Sequence, residues 1–317
     1  MEPILTACFV ALTVPAPQEA TPGVDVPALI QAAVESPGDI PALRVELWVG
    51  FPALDAPARD SAAALLVEAA READGEPVRR FAIESLGALG TFPLGEAVRA
   101  DAGSYLLRTA LSSEATPFTR LAAVRALPAL DRGEAVLQGL YELVRVARLQ
   151  PHRAVACCQS LAGEAVRALG RCGTERAADW LLLTWFDPLL RPGLEEPLLS
   201  ALAATGDARG QALLVHWILA RDLTSNEATS AVQALGGLAR ALAGGEAPGA
   251  SERERVDEIR TVLRSLAVPE HHPEIFAVAI LGLARVTAPD DEDGRALLRA
   301  ALPALEADDR ESLEALL

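Results

Sequence analysis

Apolar residues in this chain recur at helical spacing, three to four positions apart, in run after run, and Pro or Gly closes almost every run. The pattern predicts helices over 26–35, 40–49, 57–73, 76–90, 93–112, 117–130, 133–149, 154–170, 174–186, 194–205, 207–222, 226–243, 252–267, 273–286 and 291–304. Breaks fall at Pro77, Pro93, Pro117, Pro151, Gly173, Gly206 and Pro273. No segment alternates as a half-buried strand would.

Within the pattern a short phrase returns: a small residue, three variable positions, then Leu, often followed by Gly or Ala. It stands at Ala82–Leu86, Ala123–Leu127 and Ala165–Leu169, and in looser form at Leu198–Leu202, Ala231–Leu235 and Ala277–Leu281. Successive anchoring leucines are 41, 42, 33, 33 and 46 residues apart. A period in this range marks stacked helical units. The small residue and the Leu share one helix face, so a neighbouring helix can approach the first while the second fills the space between them. The following glycines (Gly87, Gly90, Gly170, Gly173, Gly206) read as helix ends that let the chain reverse. On this reading the phrase helix is the first of each pair and a Leu-rich amphipathic helix the second. One pair cannot bury its apolar face alone; a stack can, and it curves into a superhelix.

The phrase resembles the HEAT-repeat family, most closely the bacterial HEAT-like repeats named after phycobilisome lyases. The residues that carry the likeness are Pro77 to Gly90 (PVRRFAIESLGALG) and the Ala-Val-Arg-Ala-Leu runs at 123–127 and 165–169. The likeness covers roughly residues 40–317. It implies an all-α fold, an α-solenoid of six to seven HEAT-like helical hairpins over 26–317. It is nearly silent on activity, because the family hosts lyases, scaffolds, adaptors and DNA-repair proteins. No lyase residue can be placed on this chain.

Composition adjusts this picture in two ways. All 28 basic residues are Arg, as in proteins from GC-rich bacterial genomes, and the net charge is −16. That charge argues against nucleic acid as the main ligand, since a phosphate backbone calls for a basic footprint. Nine of the carboxylates lie in 287–317 and read as a solvated capping face, with the Asp290–Gly294 run (DDEDG) as an acidic helix start rather than a calcium loop. At the other end, Ile4 to Val14 is an apolar run too short to span a bilayer. It fits the apolar region of a signal peptide at 1–16, followed by a Pro- and Ala-rich linker at 17–25, although Glu2 replaces the usual positive charge. Export to the periplasm or cell envelope is the resulting expectation, and no run long enough for an integral membrane span follows.

Candidate chemistry is thin. No phosphate loop, dinucleotide fingerprint, nucleophile elbow or zinc-protease motif occurs. No catalytic, cofactor or metal residue is assigned. His271 and His272, with Glu270 and Glu274, lack the spacing of a ligand set. Cys157, Cys158 and Cys172 read as buried small hydrophobes. The position two after each small residue of the phrase forms a register: Glu84, Arg125, Arg167, Ser200, Gln233, Ala279. Stacking would align it as a ladder, with Arg125 and Arg167 as neighbouring donors to the carboxylates of an acidic peptide. Trp180, Trp185 and Trp217, with Tyr141 one unit earlier, are packing residues or, where exposed, a partner-binding patch. The expectation is therefore a non-enzymatic scaffold that binds a protein or peptide along a solenoid surface. The alternatives are a lyase or other enzyme using the groove as its pocket, around His152, Cys157 or His216, and an exported envelope adaptor.

Overall fold

The computed structural model describes residues 24–149, 155–220, 226–244, 249–288 and 291–317. The apolar run, with the expected cleavage region at 1–16, and the linker as far as residue 23 lie outside them, as does His152; the side chains of Cys157 and Cys158 are likewise not described. Among the described residues the regular structure is entirely helical. The helices are α1 (Val26–Glu35), α2 (Ile40–Gly50), α3 (Ala56–Glu72), α4 (Glu76–Leu89), α5 (Glu96–Leu111), α6 (Pro117–Leu130), α7 (Glu134–Leu149) and α8 (Val155–Cys172). They continue as α9 (Glu175–Phe186), α10 (Glu195–Thr205), α11 (Ala208–Leu219), α12 (Asn226–Ala243), α13 (Ala250–Leu266), α14 (Pro273–Ala284), α15 (Glu292–Ala301) and α16 (Ala307–Glu314). The fold is an α-solenoid of HEAT-like helical hairpins.

Local chemistry sets the boundaries. Asp25, Asp55, Thr116, Thr174, Asp207 and Asp291 each accept a backbone N–H from the first turn of the helix they precede. Pro occupies the first turn of α1, α2, α3, α4, α6 and α14, where its missing donor costs nothing. Gly206 ends α10 in the left-handed region, φ 71°, a conformation that disfavours a side chain. The acidic run before α15 acts as expected, with Asp291 Oδ1 accepting Gly294 N–H at 2.8 Å. The sequence pattern missed α16, whose eight residues bury one leucine, Leu313.

The even-numbered helices, of which α4 to α14 carry the phrase, form one layer; the odd-numbered helices form the other. The phrase residues lie in the core: Ala82, Ala123, Ala165 and Ala231, with Leu86, Leu127, Leu169, Leu202 and Leu235, are fully buried. Two expectations change. First, Gly87 and Gly170 do not end helices. They lie inside α4 and α8 and receive the neighbouring phrase helix: a Cβ at Gly87 would stand 2.8 Å from Ala126 Cβ, and one at Gly170 would stand 2.6 Å from Ala201 Cα. Gly236 and Gly282 meet in the same way between α12 and α14. Second, the pairing frame is shifted. In the N-terminal half α3 packs on α4, α5 on α6 and α7 on α8, so the phrase helix is the second of its hairpin. From α8 onward a phrase helix packs on both of its odd-numbered neighbours.

The layers are joined along their length by different means. Even-numbered helices touch through small residues. Successive odd-numbered helices are bridged by long side chains, Arg71 to Asp101, Arg176 to Glu134 and Arg209 to Asp179 at 2.9, 3.3 and 2.8 Å, and arginines also bridge even-numbered helices beside their small-residue contacts. A stack that is shorter along one layer bends toward that layer, so the free face of the even-numbered helices is the inner face.

Candidate functional site: the inner groove

Two cavities open on the inner face and share residues. The first, about 720 Å³, lies across α2, α4 and α6. Its floor is apolar, with Trp48, Phe51, Ala88, Phe92, Ala122 and Ala126, and Arg44, Glu84 and Arg125 stand at its sides. The second, about 810 Å³, lies at the rim where α4, α6 and α8 end. It is lined by Arg99, Arg125, Arg132 and Arg171, against a single acidic lining residue, Asp131. Thr91, Phe92 and Arg125 line both, so the cavities are direct neighbours, one with an apolar floor and one rimmed by arginines.

Ion pairs between successive phrase helices hold the groove's charged walls. Arg44 of α2 pairs with Glu84 of α4 at 2.5 Å, and Arg167 of α8 with Glu196 of α10 at 3.0 Å. Between these rungs lies Glu164 of α8, whose side chain is only 8% exposed and which takes three guanidinium groups: Arg125 at 3.3 Å, Arg171 at 3.2 Å and Arg167 at 3.7 Å. A carboxylate removed from water is stable only when ionically compensated and hydrogen-bonded, and here both oxygens are engaged. Arg167 is also held by Glu196, so three guanidinium groups face two carboxylates and positive charge remains in surplus. At the rim Arg132 Nε donates to Pro128 O at 3.0 Å, while Asp131 Oδ1 accepts Gly133 N–H at 2.7 Å ahead of α7. No ion pair engages Arg99 among the described residues.

The expected site residues separate into two groups. Arg125 and Arg167 do come together, around Glu164 and on the inner face. The remaining ladder positions continue that face as exposed Ser200 and Gln233, but Ala279 is fully buried. The aromatic residues lie in the odd-numbered layer and share no surface with the arginines. Tyr141 of α7 stacks on Trp180 of α9 with centroids 4.5 Å apart, and Arg176 covers Trp180 at 5.2 Å. Trp185 and Trp217, expected among the partner contacts, are 5% and 7% exposed and belong to the core. Phe186, at 73% exposure, is the large aromatic that α9 presents to solvent.

Composition and local clustering gave no sign of Arg99, Arg132, Arg171, Trp48, Phe51 or Phe92. A signal was available in register: Arg132 and Arg171 both follow a phrase leucine within five residues, at the same edge of the stack. The thiol considered for chemistry, Cys157, has no described side chain; the described thiol is Cys172. That side chain is fully buried, and burial pushes its thiol up to about 11, against the opposing pull of Arg132 and Arg171. His216 lies exposed on α11, in the layer away from the groove. Among the described residues no three His, Cys, Asp or Glu side chains are grouped as metal ligands, and no helix is long and apolar enough to cross a membrane.

No protein-family model matches the chain, and no curated protein matches it. Solved structures do. The complex of CpcE and CpcF of phycocyanin lyase from Nostoc sp. PCC7120 aligns over 95% of this chain and 98% of its own, at 18% identity and a TM-score of 0.44. Human deoxyhypusine hydroxylase aligns over 92% and 94%, at 16% identity and a TM-score of 0.34. An engineered protein aligns over 93% and 95%, at 18% identity and a TM-score of 0.32. These likenesses concern the course of the helices. They also correct one expectation. A solenoid without a catalytic motif was read as no enzyme, yet two of these similar chains carry the names of a lyase and a hydroxylase. The reading of this chain as a non-enzyme is withdrawn.

Proposed function

We propose that the inner groove over α2–α8 binds an extended polypeptide segment of a partner protein. The observation that carries this reading is the adjacency, through Thr91, Phe92 and Arg125, of an aromatic-floored cavity and an arginine-lined one. The groove runs across several helices, so it suits a ligand with repeating groups better than a small compact one. Its recognition elements, exposed arginines and half-exposed aromatic rings, are those enriched where proteins meet. The ion pairs between phrase helices fix the walls before any ligand arrives, which lowers the ordering cost of binding.

Photo-crosslinking tests it. A benzoyl-phenylalanine placed at Ala88, in the groove, should capture a partner polypeptide from native extract, whereas one at Leu219, on the outer layer, should not. Equal capture from both positions, or capture from Leu219 alone, would exclude the groove. Catalysis in the same groove is the second reading. It draws on the same arginines, because guanidinium groups stabilise developing negative charge as well as a bound carboxylate. Recovery of every groove ligand chemically unchanged removes it.

A further inference from the structure

We infer that the rim cleft is a carboxylate site, and that the groove selects segments in which an acidic residue lies beside a large apolar one. The inference rests on the polypeptide reading above and names the chemistry of the segment. In a chain of net charge −16, four arginines converge on one cleft with a single acidic lining residue. Their own partners do not neutralise them. Arg125 and Arg171 share Glu164 with Arg167, Arg132 spends only its Nε on the Pro128 carbonyl, and Asp131 turns one oxygen to the Gly133 N–H. Arg99 stands opposite with no ion pair among the described residues.

Guanidinium forks in such an arrangement match the two oxygens of a carboxylate. The neighbouring apolar floor, entered past Phe92, specifies what must be attached to it. A long polyanion such as nucleic acid fits poorly: it would gain at the cleft but be repelled by the rest of this acidic surface and would leave the Trp48 and Phe51 end unfilled. Negative charge over the rest of the molecule also disfavours segments acidic throughout, so the favoured ligand carries its acid at one point.

The test uses the full chain and two kinds of probe. Fluorescence-polarisation titrations compare labelled peptides that pair Glu with Leu or Phe against the same peptides with Gln. The Glu forms should bind at least tenfold more tightly, and the double variant Arg99→Ala/Arg132→Ala should lose that preference while its thermal melt stays at the wild-type value. The second probe, octanoate against octanol, followed by fluorescence quenching, needs no polypeptide. Peptides that fail to bind while octanoate binds in an Arg99- and Arg132-dependent way overturn the polypeptide reading and leave an amphiphilic-acid site. Equal binding of Glu and Gln peptides, together with equal binding of octanoate and octanol, overturns the carboxylate site. So does an acid preference that survives in the double variant, or tighter binding of a single-stranded oligonucleotide than of any Glu peptide.

Discussion

The two halves of the inner face are built on one frame and differ in chemistry. From α2 to α8 the ladder positions are Glu84, Arg125 and Arg167, and ion pairs cross from helix to helix. From α10 to α14 the same positions hold Ser200, Gln233 and Ala279, and the cavity there, about 640 Å³, is lined by small side chains such as Ala204, Ser230 and Gly237, with Glu196 as its charged member. The helices of that half approach through Gly236 and Gly282. The phrase sets how closely helices pack, while the position between its two fixed residues sets what the surface can bind. The charged, aromatic half is the one for which a ligand is proposed.

That contrast can be broken in order of effect. Gly170→Val attacks the frame both halves share, because the new side chain would collide with Ala201 backbone atoms 2.6–2.8 Å away. It should cost ~3 kcal/mol in urea unfolding. Its partner on the same helix, Gly163→Ala, meets only ordinary contacts at 3.7 and 3.8 Å and should stabilise α8 by about 0.5 kcal/mol, as expected for Gly→Ala in a helix. An equal effect at both positions would show that close approach is not what the phrase glycine provides.

Glu164→Ala tests the charged half. It removes the buried acceptor of three guanidinium groups and should cost ~2 kcal/mol, whereas Ser200→Ala in the neutral half should stay within ~0.5 kcal/mol. Asp207→Ala removes the side-chain cap of α11 and should cost about 1 kcal/mol. The hydrogen bond from Arg209 holds the Asp207 carboxyl below the ordinary carboxylate range. Its stabilisation is present above the usual Asp value and is lost as pH falls through the depressed one, so the Asp207→Ala penalty should shrink in acid unfolding series.

Cys172, at the end of α8 between the halves, gives the most specific signal. Burial pushes its thiol up to about 11, against ~8.5 for the same thiol in the unfolded chain. The neutral form is favoured by folding, so its contribution is complete below the lower value and fades as pH rises toward the upper. Unfolding free energy measured from pH 8 to 11 should fall less steeply in Cys172→Ala than in the parent chain.

Much of the fold was legible because stacking imposes a period, and a period survives in sequence. The bounds of α1, α4, α6, α7 and α9 lie within a residue of those read from apolar spacing. The hairpin frame was not legible, since a phrase helix is apolar toward both odd-numbered neighbours and nothing local says which packs more closely. Gly87 and Gly170 were misread for a related reason: glycine serves a helix end and a helix crossing equally well, and only the neighbour decides. At the site, Arg125 and Arg167 were visible through register. Arg99, Arg132 and Arg171 were not, because residues far apart in sequence meet only where turn after turn of the solenoid returns to one edge. Trp185 and Trp217 drew attention as large rings, and the fold spends both on packing.

The unequal joining of the two layers has a mechanical consequence. Helices seated glycine against alanine behave as a nearly inextensible strip whatever ion pairs they add, whereas a layer held chiefly by side chains on flexible stems can lengthen or shorten with less strain. When such an array flexes, its neutral line runs along the inner layer. The outer layer takes up the change in length, and the distances between Arg44, Arg125 and Arg167 stay nearly constant. The groove can thus keep its pattern of charges while the outer layer flexes.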